Sequence, residues 1–499
     1  MIGGMIMKLK NLITELDIIN SVGDLDLDIT NINSDSRKIT NNGLFIAISG
    51  FSLDGAKFIP AALSNGATAI VIEDTMNLSE ITIPNDITII TVKNTRKALA
   101  LISCAFYEHP SKSFKLIGIT GTKGKTTTTF MIKSILEQKG LKVGLIGGVA
   151  IYIGKEKLED ADRTTPESIT IQEYFAKMRD AKVDVVVMEV SSQALKLDRV
   201  TGCNFDLCLF TNFSEDHISP KEHPDMEDYF NSKLKIFDIC SNGYLNNDDE
   251  KVATILDINK SANLKTYGIN DISDIKALPS SIEYTNTYVS FDLSLNGNTS
   301  NIKVYVPGKF SIYNALAAIC ASSEFDISFD NIQKGFDNLQ VPGRSELVPN
   351  SMGVAIIIDY AHSPASLENI LTAVKGYVKG NLISVFGCGG DRDPLKRPIM
   401  GEISGNIADY TIITTDNPRT EDPVDIVSQI ENGIKKTSGK YEVIIDRKEA
   451  IKAAMLKATP DDIVVLAGKG HETYQEINGI KYHYDEREII QDICKELNK

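Results

Sequence analysis

Apolar and polar positions follow a repeating strand-then-helix rhythm along this chain. Short apolar runs such as LFIAI (44–48), LIGI (116–119), VDVVVMEV (183–190), AIIID (355–359) and IVVLA (463–467) are rich in β-branched residues. They end in Gly, Asn or charged residues, the pattern of strands buried on both faces. Between them lie stretches with helical spacing, among them 58–64, 96–107 and the run that follows Gly124. This alternation predicts an α/β protein with mostly parallel sheets. Residues 1–109 read as a small N-terminal α/β domain and 110–341 as a central domain built on βαβ units. Residues 342–499 read as a C-terminal, Rossmann-like α/β domain, entered at Pro342-Gly343. The stretch between 241 and 300 reads as less regular.

In the central domain the rhythm delivers its most informative local sequence. The strand 116–119 runs into GTKGKTT (121–127) and then a helix. Gly121 and Gly124 let successive backbone N–H groups face one concavity, and Lys125 adds a charge, so the turn is a phosphate cradle. Thr126 puts a hydroxyl where a phosphate-bound Mg²⁺ would sit. The strict G-x-x-x-x-G-K-[ST] spacing wants glycine at 119; the residue there is Ile119, and Gly118 is one place early. A plain Gly-rich turn between strand and helix is the competing reading.

Composition narrows the class. A chain of 499 residues with 42% hydrophobic and 24% charged residues is ordinary for a multidomain globular enzyme. A net charge of −15 argues against a nucleic-acid binder. Seven cysteines without a C-x-x-C pair point to reduced core thiols rather than disulfides or zinc. No 18-residue apolar run and no leader-like segment is present, so the expectation is a cytoplasmic protein with no membrane partner.

Further candidates stand where predicted strands end. Glu189 closes the run 183–190, where a Mg²⁺ or water-positioning carboxylate belongs, although an ordinary strand-end glutamate fits as well. Asp216 and His217 follow the next strand. In MEDYFNSKLKIF, Phe230, Lys233, Leu234 and Phe237 share one helical stripe. On the pattern alone Lys233 is expected to snorkel to solvent; the alternative is a buried amine with a depressed pKa. Asn314, on the helix after Gly308, is a candidate adenine reader or a plain capping Asn. Four strands of the third domain end in DYAHSP, GCGGDRD, DNPR and GKGHE, which suggests one ligand-binding sheet edge. Arg392, Arg419 and Glu472 lie on it, and each also suits a surface ion pair.

Taken together and in order, DSR (35–37), GTKGKTT, TTP (164–166), EVSS (189–192), YFNSKLKIF (229–237), YNALAA (313–318), VPGR (341–344), DYAHSP (359–364), GCGGDRD (387–393), DNPR (416–419) and GKGHE (468–472) resemble the ATP-dependent Mur ligases of peptidoglycan synthesis. The likeness spans nearly the whole chain. DNPR with GKGHE and an N-terminal DSR implies the member that adds the third amino acid to UDP-N-acetylmuramoyl-L-alanyl-D-glutamate.

The resemblance implies a role for each matching residue. Ser34 and Ser36 would hold the uridine part, and Thr164, Thr165, Ser191 and Arg199 the muramoyl-dipeptide. Gly121, Thr122, Lys123, Gly124, Lys125, Thr126 and Thr127 would wrap the ATP phosphates. Asn314, Arg344 and Asp359 would contact the rest of the nucleotide. Thr126, Glu189, His217 and Lys233 would hold Mg²⁺ (two ions), with Lys233 carbamylated by CO₂; Lys125, Glu189, His217 and Lys233 are the implied catalytic set. Arg392, Asp416, Asn417, Pro418, Arg419, Gly468 and Glu472 would bind meso-diaminopimelate, Arg419 taking its distal carboxylate, which lysine lacks. Leu197 stands where some members carry glutamine, and Ser311 where the nucleotide helix often has asparagine. The implied partners are small molecules only, and the implied state is a monomer whose third domain closes on the second.

Overall fold

The computed structural model describes residues 6–50, 54–216, 218–219, 222–259, 262–270, 273–295 and 297–497. It divides into two compact units, 1–125 with 140–266, and 126–139 with 267–499.

Beside a two-stranded pair, Met7–Lys8 with Asp28–Ile29, the first unit holds strands of two longer sheets. The smaller has five strands in the order Ile18–Val22, Thr88–Val92, Ala67–Glu73, Gly43–Ile46, Asn31–Asn33, parallel except for the first pair. In the larger, the phosphate-loop strand Lys115–Thr120 lies between Val185–Glu189 and Phe205–Phe210, parallel to both. Val143–Ile146 and Cys240–Asn246 extend it in parallel on the two sides. An antiparallel hairpin, Ala150–Ile153 with Glu156–Asp160, closes one edge. Leu116, Val186, Met188, Phe205, Cys208 and Phe210 are buried in one core beneath this sheet, which is why its strands are apolar runs rather than alternations. All strands of the parallel part end at one edge, where the loops 121–125 and 189–192 emerge.

In the second unit a six-stranded sheet runs Glu346–Leu347, Ala355–Asp359, Ile463–Ala467, Leu382–Phe386, Tyr410–Ile413, Lys440–Val443, parallel except for the first strand. The four strands expected to share an edge are neighbours in it. Successive residues serve opposite cores: Ile357 and Val465 face one, Ile356, Ile358, Val464 and Leu466 the other. Helix Lys309–Ser323 is buried nearly all round, as its alanine-rich sequence requires.

The stretch 241–300 is not irregular. It contains strands Cys240–Asn246, Asn263–Gly268, Ile275–Ala277 and Val289–Leu295, and helix Val252–Ile258. Val289–Leu295 pairs antiparallel with Asn298–Val304 over its whole length. Val289–Leu295 alternates apolar and polar residues, whereas Cys240–Asn246 and Asn263–Gly268 carry several Asn, Ser and Lys residues and are defined by pairing more than by local pattern.

A buried ion pair braces the edge of the second sheet. Arg447 and Glu486 are 2% and 1% exposed, 2.8 Å apart. The same guanidinium donates to the carbonyls of Thr415 (3.4 Å) and Ala467 (2.9 Å), the last residues before the DNPR and GKGHE loops. Arg447→Met leaves Glu486 buried without its partner and is expected to cost about 3 kcal/mol, read as a lower urea midpoint.

Candidate active site

The phosphate loop is shaped by two glycines with different tasks. Gly121 has φ +140°, and a side chain on it would overlap the Thr211 hydroxyl. Gly118 lies inside the strand, where a Cβ would come within 2.7 Å of the Phe205 ring. Position 119 is therefore a strand residue, opposite Glu189 in the sheet, and the early glycine serves packing rather than the loop. The loop is braced from the following strand: Lys123 N–H donates to Asn212 Oδ1 (2.9 Å), Thr122 N–H to the Asn212 carbonyl (2.9 Å), and Lys123 pairs with Asp216 (2.7 Å). Lys125 folds its ammonium back onto the carbonyls of Gly121 (2.9 Å) and Thr122 (3.0 Å).

Lys233 does not snorkel. It is 1% exposed, its Nζ lies 4.4 Å from the Tyr229 ring centroid, and it donates to the same Gly121 carbonyl at 2.9 Å. Burial pushes its pKa well below the usual lysine range, and the charge of Lys125 adds to the effect against the weaker pull of Asp216. Two ammonium groups on one carbonyl are unfavourable, so the surroundings of Lys233 favour its uncharged amine over the ammonium. The helical stripe has no outer edge here for the stem to climb, because the helix Met226–Leu234 is packed against the loop by Tyr229, whose hydroxyl meets Thr122.

Glu189 is 1% exposed and accepts from Gly148 N–H at 2.9 Å. Its own carbonyl accepts from the Thr165 hydroxyl (2.9 Å), which in turn accepts from Ser191 N–H (3.0 Å). This chain of bonds ties TTP to EVSS. Lys125, Thr164, Thr165, Ser191, Arg199 and Lys233 line one cavity of about 250 Å³. Arg199 donates to the Thr165 carbonyl (3.2 Å) and pairs with Glu167 (2.9 Å), while its Nε is buried without a hydrogen-bond partner. A buried carboxylate, a lysine of lowered pKa and a half-satisfied guanidinium suit a cation and anionic substrate groups. His217 lies outside the described residues, and Thr126 is the first residue of the second unit.

Ser34 and Ser36 are elsewhere in the first unit. Ser34 lines a larger space of about 1110 Å³ together with Asn33, Asp35, Tyr107 and Glu167, whereas Ser36 is buried at the start of a short 3₁₀ turn that Asp35 caps. Glu167 borders this larger space and pairs with Arg199, which lines the smaller cavity.

In the second unit, Arg392, Asp416, Asn417, Arg419, Gly468 and Glu472 line one cavity of about 400 Å³; Pro418 is the member of the expected set that does not. Arg419 has φ +52°, donates to the Gly390 carbonyl at 2.6 Å and pairs with Glu476 at 3.3 Å. Asn417 donates to Glu472 (2.8 Å) and accepts from Lys469 (3.0 Å), which is fully buried and 3.8 Å from Asp416. The cavity is lined by the guanidinium groups of Arg392 and Arg419 and by the carboxylates of Asp416 and Glu472, charges of both signs that suit a zwitterion. Asn314 is 6% exposed on its helix. Arg344 lies 5.4 Å from the Tyr360 ring with its Nε buried and unpartnered, and burial raises the Asp359 carboxyl against the pull of Arg344.

Residues 28–107 match the Mur ligase family catalytic domain, 119–322 the Mur ligase middle domain, and 343–470 the Mur ligase glutamate ligase domain. The chain is 44% identical over 495 residues to UDP-N-acetylmuramoyl-L-alanyl-D-glutamate–2,6-diaminopimelate ligase 1 of Clostridium acetobutylicum, covering 98% of this chain and 100% of the relative. The chain belongs to the Mur ligase family. It is 45% identical to the corresponding ligase of Clostridium tetani over 98% and 100% of the two chains. A solved structure of a UDP-N-acetylmuramoyl-L-alanyl-D-glutamate–2,6-diaminopimelate ligase superimposes with a TM-score of 0.71 at 26% identity, covering 99% of this chain and 100% of that one. MurF from Acinetobacter baumannii shares the fold (TM-score 0.60, 16% identity, 98% and 99% coverage). Mur ligases thus have the three-part α/β architecture that the strand pattern predicts.

Four residues that shape these cavities escaped the sequence reading: Ser192, His223, Lys469 and Glu476. Lys469 sits inside GKGHE, and its apolar neighbours were the available signal. The other three are defined by partners distant in sequence.

Proposed function

We infer that this chain is an ATP-dependent ligase that joins meso-diaminopimelate to the D-glutamyl γ-carboxylate of UDP-N-acetylmuramoyl-L-alanyl-D-glutamate, a step of peptidoglycan precursor synthesis in the cytoplasm. The observation that carries the choice of amino acid is Arg419, whose planar fork is fixed by Gly390 and Glu476 in a cavity that also holds Asp416 and Glu472.

The γ-carboxylate attacks the γ-phosphorus of ATP and becomes an acyl phosphate, with ADP leaving; the amine then displaces phosphate to form the amide. Lys125 and the loop N–H groups neutralise the phosphates. Thr164, Thr165, Ser191 and Arg199 hold the muramoyl-dipeptide, with Ser34 and Ser36 toward its uridine. Asn314, Arg344 and Asp359 serve the nucleotide. Thr126, Glu189, His217 and Lys233 are the residues that would hold Mg²⁺, which supplies charge neutralisation between phosphate oxygens. A neutral Lys233 amine is the form that reacts with CO₂, and the carbamate so formed is an anion able to ligate a cation.

Phosphate release from ATP with the UDP-dipeptide should be strong with meso-diaminopimelate and at least about a hundredfold weaker with L-lysine, because a site built for a charge rejects a ligand lacking it. Equal rates with both amino acids would remove the argument from Arg419. No turnover with either would end this reading.

A further inference from the structure

Within the first cavity three side chains form a chain of hydrogen bonds. Ser192 Oγ lies 2.9 Å from His223 Nε2, and His223 Nδ1 lies 2.6 Å from Asp228 Oδ2. Asp228 is anchored in turn by Lys196 at 2.7 Å. Ser192 is 5% and His223 0% exposed, yet both border the cavity beside Lys125, Thr165 and Lys233. His217, not His223, was the histidine singled out by sequence.

The direction of each bond follows from chemistry. A carboxylate only accepts, so Nδ1 carries the ring proton. Burial lowers the His223 pKa against the pull of Asp228, and the charge of Lys196 lowers it further, so the ring is neutral and Nε2 is bare. Burial would raise Asp228, but hydrogen bonds from Lys196 and His223 outweigh it and keep the carboxylate ionised. Ser192 therefore donates its hydrogen to His223 and turns its oxygen lone pairs outward. The cavity is lined by the cationic or donor groups of Lys125, Arg163, Arg199 and Lys233 and by the carboxylate of Glu222, so this oxygen is an acceptor facing a surplus of donors.

We propose that Ser192, His223 and Asp228 form a proton relay that takes the proton of the attacking amine during amide formation, with Ser192 as the group that meets the amine. The proposal rests on the acyl-phosphate reading above. As the amine nitrogen bonds to the acyl carbon, its proton passes to Ser192 Oγ and the serine proton passes to His223 Nε2. The C–O bond to phosphate breaks and phosphate leaves with the electron pair. The imidazolium, steadied by Asp228, returns its proton through Ser192 to the leaving phosphate. Amine plus acyl phosphate gives amide plus inorganic phosphate, and the relay is restored. An ordinary structural clasp between the loops 191–193 and 222–228 would use the same bonds but would not distinguish one nucleophile from another.

That difference is the test. Wild type, Ser192→Ala, His223→Gln and Asp228→Asn are given ATP and the UDP-dipeptide, with either meso-diaminopimelate or hydroxylamine. Hydroxylamine is a neutral nucleophile at pH 7 that captures acyl phosphates as hydroxamates. Each variant is expected to lose about a hundredfold in kcat for amide formation at pH 7, the usual weight of a positioned base. Hydroxamate formation should stay within about threefold of wild type, and the amide defect should shrink as pH rises toward 9 and solvent takes the proton. Parallel loss of amide and hydroxamate in all three variants, or amide formation left intact, overturns the relay. Amide but no hydroxamate from wild type overturns the acyl-phosphate reading and the relay with it, a failure recognisable without any variant.

Discussion

Lys233→Ala is expected to lower ligase turnover about a thousandfold while leaving the fold intact, the scale on which loss of a charge-stabilising group acts in a water-poor site. The alanine variant loses a buried amine that is bonded to the Gly121 carbonyl and whose pKa is lowered by burial and by Lys125. If the working form is the carbamate, formate or acetate should restore part of the turnover, because each supplies a small anion to the space vacated. Intact-mass measurement of wild type in bicarbonate provides a readout independent of activity, as an added CO₂ on Lys233. A variant with near-normal turnover, or wild type that never gains CO₂ under turnover conditions, would place the function of Lys233 in packing alone.

The second large effect is expected at Arg419. Arg419→Ala should reduce kcat/KM for meso-diaminopimelate about a thousandfold, since the distal carboxylate would enter a half-buried cavity with its main partner gone. Arg419→Lys should recover little, because a point charge does not reproduce a planar fork already aligned by Gly390 and Glu476. Turnover with L-lysine, low in both proteins, should change much less, as lysine has no distal carboxylate to lose. An equal fall for both amino acids would mean that Arg419 shapes the loop rather than reads the substrate. Its φ of +52° and its backbone bonds to the hairpin Tyr474–Ile477 make that control necessary.

How much of this was legible beforehand differs residue by residue. The strand, glycine turn, lysine and helix around Lys125 are contiguous, so local patterning was enough to find them. The out-of-register glycine was visible too, but its cause was not: Gly118 is small because of Phe205, a residue on a neighbouring strand. The six residues of the 400 Å³ cavity come from three separated motifs that end parallel strands, and parallel strand ends converge at one edge by topology. By contrast, Cys240–Asn246 and Asn263–Gly268 hold few apolar residues and are made strands by backbone pairing, while the alternation of Val289–Leu295 was there to be read in the sequence. Lys233 was misjudged on the pattern because a helical stripe says which face is covered but not how deep the cover is.

The sequence by itself determined the α/β class, the position of the glycine-rich loop between strand and helix, the shared edge of four strands and the family likeness. Each of these depends on short-range periodicity or on contiguous motifs, which survive in one dimension. Only the tertiary structure decided the burial and lowered pKa of Lys233, the pairing of Arg447 with Glu486 and the line from Ser192 through His223 to Asp228. Those properties depend on burial and on partners 5 to more than 100 residues apart, as the bonds of Lys233 to Gly121 and of His223 to Asp228 illustrate. Desolvation is a property of the packed surroundings, and no single stretch of the chain carries it.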